Sequence, residues 1–124
     1  MACMTAMLER DDREHPLPVE LRGVFARIVD ALVRGDFALD GIGEAASIDA
    51  ETAEFIRASV EAYGDELAPL DPAVWERSCY GWSGGHWQVL VDLTTRHEAV
   101  SDLTPHANVR LNPLCVTVRS VHVP

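Results

Sequence analysis

Apolar residues along this chain fall into two periods. Leu21, Val24, Phe25, Ile28, Val29, Leu32 and Val33 recur every three or four positions, with Glu20, Arg22, Arg27, Asp30 and Arg34 between them. That spacing predicts an amphipathic helix from about Val19 to Arg34, closed by Gly35 where a left-handed terminator belongs. A second helix is predicted from Ser47 or Asp49, with Ile48, Phe55, Ile56, Val60 and Tyr63 as its stripe and Gly64 as its stop. The link between them, "DFALDGIGEAA", has no periodicity and reads as a loop.

From Trp87 the period changes to two. Trp87, Val89, Val91 and Leu93, then Leu103, Pro105, Ala107, Val109 and Leu111, share one parity, and polar residues fill most of the other. These are two strands with one face in the core. A one-residue slip would turn every apolar side chain outward, so Leu93 is expected opposite Leu103, Val89 opposite Ala107 and Trp87 opposite Val109, around a loop of three or five residues centred on Glu98. The neighbouring register would set Asp102 against Leu93 in the core, at a cost of several kcal/mol. A third strand follows "NPL", with Leu114, Val116 and Val118 inward and Thr117 and Arg119 outward; proline there requires a connection longer than two residues. Residues 72–82 admit two readings, a helix started by Asp71 and Pro72 or an edge strand from about Val74 to Gly81, and the strand is preferred.

The fold class expected is α+β: two N-terminal helices packed on a mostly antiparallel sheet of three or four strands. At 124 residues the chain makes one domain, assigned to residues 16–124, behind a flexible or loosely docked arm of residues 1–15 whose acidic residues and prolines discourage helix.

The outer face of the sheet then becomes the place to look for chemistry. The expected register puts Asp92 across from Thr104 and Asp102 across from Thr94, with Asp102 and His106 diagonal to Asp92 and Arg119 able to approach His106. Neighbouring carboxylates raise one another's pKa, and a carboxylate raises that of an imidazole, so Asp92, Asp102, His106 and Arg119 form a candidate acid-base group. Tyr80, Trp82 and Trp87 are candidates to line an apolar ligand pocket beside it. On that reading Asp92→Asn abolishes turnover and leaves stability nearly intact. The plainer alternative is the wet side of a sheet. No cofactor motif occurs, the histidines lack ligand spacing, and Cys3, Cys79 and Cys115 fit neither a disulfide framework nor a zinc site, so no cofactor or metal is expected.

Charge narrows the partners. Twenty Asp and Glu against ten Lys and Arg give a net charge of -10, which repels phosphate backbones and anionic lipid. Nucleic acid and membrane are therefore excluded as expected partners. A basic protein, a neutral small molecule, or a second copy in a homodimer remains. Without a leader or spanning segment in the sequence, the expected compartment is the cytoplasm.

The stretches "YGDELAPL", "HWQVLVDLTTRHEAVSDLT" and "VHV" together resemble a family of small bacterial domains of unknown function, in which W-x-V-x-V-D-L is followed closely by S-D-L-T and preceded by a Y-G helix end. The likeness covers about residues 19 to 123 and points to Trp87, Asp92, Ser101, Asp102 and Leu103, with no role implied for any of them. In size, charge and plan the chain also looks like the immunity proteins of bacterial toxin systems. Two functions follow as expectations: an acidic, immunity-like module binding a basic protein, or a small enzyme or small-molecule binder using the Asp/His group.

Overall fold

A computed structural model describes residues 8–123. Helix α1 spans Val19–Val33 and α2 spans Ala50–Tyr63. Each is followed by a glycine at positive φ, Gly35 at 85° and Gly64 at 87°, in the conformation that L-residues resist. The Asp49 carboxylate caps α2 by accepting from the Thr52 amide at 2.7 Å.

The strands are β1 (His15–Pro16), β2 (Leu67–Ala68), β3 (Cys79–Trp82), β4 (Trp87–Leu90), β5 (Thr94–Thr95), β6 (Thr104–Arg110) and β7 (Cys115–His122). Five of them form an antiparallel sheet in the order β1-β3-β4-β6-β7, and β2 pairs with β5 in a separate two-stranded sheet. The α+β class is as expected, but the strand count exceeds the three or four expected. The excess comes from two-residue pairings, β1, β2 and β5, too short to leave a periodic signal.

The parity register holds through the regular part of β4 and β6: Trp87 faces Val109, Val89 faces Ala107 and Leu90 faces His106. Tyr80, Trp87, Val89, Val109, Val116 and Val121 turn inward to a core shared with Leu21, Phe25, Ile28 and Leu32 of α1 and Ile56 of α2. Beyond Leu90 the sequence reading fails in one respect. Leu93 does meet Leu103, its amide donating to the Leu103 carbonyl at 2.9 Å, but Thr94 and Thr95 then leave the sheet to pair with Ala68 and Leu67. The connection is therefore a braced excursion in place of a three- or five-residue hairpin, and Thr94 faces Ala68 instead of Asp102.

Two further features concern the ends of the sheet. Residues 72–82 contain both candidate elements in turn: Asp71 caps a 3-10 turn over Pro72–Glu76, and the strand begins only at Cys79. The arm expected at residues 1–15 is docked from Leu8, which is buried; the Glu9 amide donates to the Tyr80 hydroxyl at 2.9 Å and its carbonyl accepts from Trp87 Nε1 at 2.8 Å. Residues 1–7, including Cys3, lie outside the described part.

Candidate functional site

The outer sheet face collects only part of the expected acid-base group. Asp92, with a side chain 14% exposed, accepts from the Thr104 hydroxyl at 2.8 Å and pairs with Arg77 Nη2 at 3.2 Å. The Asp92–Thr104 pairing is the one the register placed there. Arg77 was hidden from sequence reasoning because the strand preferred for residues 74–81 left no 3-10 turn to end at it. Asp102 is not a partner of Asp92; its side chain is exposed and its amide donates to the Tyr63 hydroxyl at 3.1 Å, on the loop side.

His106 stacks on His122, with ring centroids 4.2 Å apart and an interplanar angle of 10°. Burial, and then the neighbouring His122 ring, pushes its pKa below the ordinary imidazole value, opposite to the rise expected from a carboxylate neighbour. Its Nε2 is buried without a hydrogen-bond partner among the described residues. His122 reaches it through a bulge: His106 faces Ser120 and Ala107 faces Val118, leaving Arg119 as the extra residue. That insertion changes the parity of β7, so Val121 turns inward and His122 outward.

The aromatic candidates lie on the other face. Tyr80 pairs with Val89 and Trp82 with Trp87; Tyr80 and Trp87 are buried on the side turned toward the core, Trp82 is half-buried at its edge and also borders a depression with Gln88 and Leu90, and Arg10 covers the two indoles at 4.8 and 5.3 Å. They therefore line no pocket with Asp92 or His106, because opposite parities point to opposite sides of a sheet. Cys79 is a poor nucleophile: burial first, then Glu14 and Asp92, raises its thiol pKa.

A chemical role for Asp92 would leave stability untouched on its removal; its position argues otherwise. Asp92→Ala leaves the buried Thr104 hydroxyl only a long 3.5 Å contact to the Asp102 carbonyl and is expected to cost about 1–3 kcal/mol, with Asp92→Asn, still able to accept from Thr104, costing less. Urea unfolding of both variants checks this, and an unchanged midpoint for Asp92→Ala would contradict the structural role.

A second surface was not anticipated. The C-terminal ends of α1 and α2 come together around a depression of about 310 Å³ with Leu32, Val33, Phe37, Val60 and Leu67 among its lining and Glu61, Asp65 and Glu66 at its rim. Beside it stands the 94–102 loop, tied to α2 by Tyr63, whose hydroxyl donates to Glu98 at 2.5 Å. The loop is braced from within: the Ser101 hydroxyl donates to the Leu93 carbonyl at 2.7 Å and the Thr94 hydroxyl to the Ala99 carbonyl at the same distance. Asp65 stays ionised where an ordinary aspartate takes up a proton, because the Thr95 hydroxyl and then the His97 ring hold its pKa down to about 2. Arg96 lies 3.6 Å from Glu66, an exposed pair. The C-terminal ends of both helices add partial negative charge to the same end of the molecule. Sequence reasoning missed this surface because its walls come from two separate segments, 32–37 and 60–67, with the 94–102 loop beside them; the "YGDE" helix end was its one local sign.

The fold and these surfaces define a small α+β domain with an acidic, apolar-floored cleft. The chain belongs to the family described as Domain of unknown function (DUF7668), whose pattern matches residues 29–124. No curated protein and no solved structure matches it. Among the described residues, no helix is long and apolar enough to cross a membrane.

Proposed function

We propose that this protein is a small non-catalytic interaction module, immunity-like in plan, that binds a basic protein partner at the cleft between the ends of α1 and α2. The cleft carries the reading: an apolar floor of Leu32, Phe37, Val60 and Leu67 beneath Glu61, Asp65 and Glu66 suits a lysine or arginine, whose alkyl stem packs while its charged head meets the rim. Glu98 and Asp102 on the adjoining loop, and the net charge of -10, extend the attraction beyond contact range. The acid-base alternative has less support. Its aromatic and ionisable members occupy opposite sheet faces, and the concavity on the ionisable side is open to water, which weakens electrostatic catalysis. Such a module acts in the cytoplasm.

Affinity purification of the tagged full chain from its own cells, read by native mass spectrometry, tests the proposal against a Glu61→Lys/Glu66→Lys double variant. Both residues are exposed, so reversal leaves the fold intact. A stoichiometric basic polypeptide held by the natural chain and lost by the variant is the expected result. An acidic partner, or one that both proteins retain equally, would contradict it.

A further inference from the structure

A separate surface of the molecule carries a site of the other sign. On the outer sheet face, His86, Gln88, Leu90, His106, Asn108 and Arg119 line an open concavity of about 310 Å³. Twenty of the 124 residues are Asp or Glu, yet none lines it. Asp12 and Glu14 line a separate depression beyond Gln88 and Leu90. Arg119 has no carboxylate partner among the described residues, unlike Arg13, Arg27, Arg57, Arg77 and Arg96. Among the described residues the Gln88 and Asn108 side chains make no hydrogen bond, so their amide N–H groups are available to a ligand.

The bulge supplies the geometry. As the extra residue opposite the His106/Ala107 step, Arg119 is aimed by a local change of strand direction, the device by which sheets redirect a side chain. Gln88 and Asn108 sit directly opposite each other on β4 and β6, so two amide groups stand side by side on the same surface. We propose that this concavity binds a small oxyanion, a phosphate or carboxylate group, through the Arg119 guanidinium and the Gln88 and Asn108 amides, with His86 at its edge. A guanidinium with flanking amides presents donors alone toward an oxyanion, a charge-assisted arrangement. The volume is at the lower end of small-ligand sites, which selects a compact anion. The global negative charge does not forbid it, because salt screens charges beyond about 8 Å in physiological solution. The inference concerns a surface separate from the protein-binding cleft and stands independently of it.

Amide NMR titration of the full chain with inorganic phosphate and, separately, with malonate provides the test, with sodium chloride added to hold ionic strength constant. Saturable shifts centred on His86, Gln88, Asn108 and Arg119 are expected, weakened about tenfold or more by Arg119→Gln and unchanged by Arg34→Gln, which lies outside the concavity. Tighter saturation by one anion identifies phosphate monoesters or dicarboxylates as the ligand class. Gln88→Ala serves as a second variant if Arg119→Gln does not fold, and it is expected to weaken binding as well. Shifts reproduced by chloride alone, centred elsewhere, absent, or equal in the natural chain and the Arg119→Gln or Gln88→Ala variant would overturn the proposal.

Discussion

Trp87→Ala is expected to cost about 3–5 kcal/mol, the range for emptying a large aromatic site in a packed core. Trp87 is 3% exposed, and its ring lies 4.7 Å from that of Trp82. It also fixes the N-terminal segment: its Nε1 donates to the Glu9 carbonyl, and Arg10 lies over both indoles. Removal therefore opens a cavity and releases residues 8–16 together. Trp87→Phe keeps most of the apolar volume but leaves that carbonyl without its donor, and is expected to cost about 1–2 kcal/mol less the relief that water supplies. Urea unfolding gives the magnitudes, and trypsin cleavage after Arg10 reports the segment. Cleavage no faster in Trp87→Ala than in the natural chain would contradict the docking role.

The second large effect is at the base of the excursion. Leu93 is fully buried, its amide donates to the Leu103 carbonyl, and its own carbonyl accepts from both the Ser101 amide at 2.9 Å and the Ser101 hydroxyl. Leu93→Ala is expected to cost about 2–5 kcal/mol, because the backbone bonds persist while the side chain beneath them is lost. The expected signature is local as well as global: amides of Ser101 and Leu103 exchange faster than those of Leu21 or Ile28 in α1, relative to the natural chain. Uniform loss of protection across the domain, or a cost below 1 kcal/mol, would place the support of the loop elsewhere.

Both variants bear on what the residues disclose before folding is known. Helices α1 and α2 were legible because periodicity, Asp49, Gly35 and Gly64 all agree on them. The β4-β6 register was legible because parity is unforgiving: Val89 and Val109 cannot both be buried in the neighbouring one. The same parity placed Thr104 beside Asp92 correctly. It failed at Asp102, since hydrogen bonds from Thr94 and Ser101 hold a loop that strand alternation cannot foresee. At Arg119 a single inserted residue reversed the faces of β7, which brought His122 to His106. The docking of Leu8 and Glu9 was obscured by the acidic run that follows them, although a leucine on either side, Leu8 and Leu17, is buried.

The candidate site was legible in its ingredients more than its assembly. Asp92, His106 and Arg119 do share the outer face, but as a structural carboxylate, a stacked imidazole and a bulge cation, each with different surroundings. The acidic cleft joins helix ends distant in sequence, and only the tertiary packing of Leu32 and Phe37 near Val60 and Leu67 makes it a surface.

The dissociation constant of the natural chain and its purified basic partner, measured against salt, tests that surface most directly. Rim carboxylates acting through water predict an affinity that weakens at least tenfold between about 50 and 500 mM salt, as the screening length shortens, with the slope reduced in Glu61→Lys/Glu66→Lys. An affinity that holds constant across that range would contradict an acidic recognition cleft.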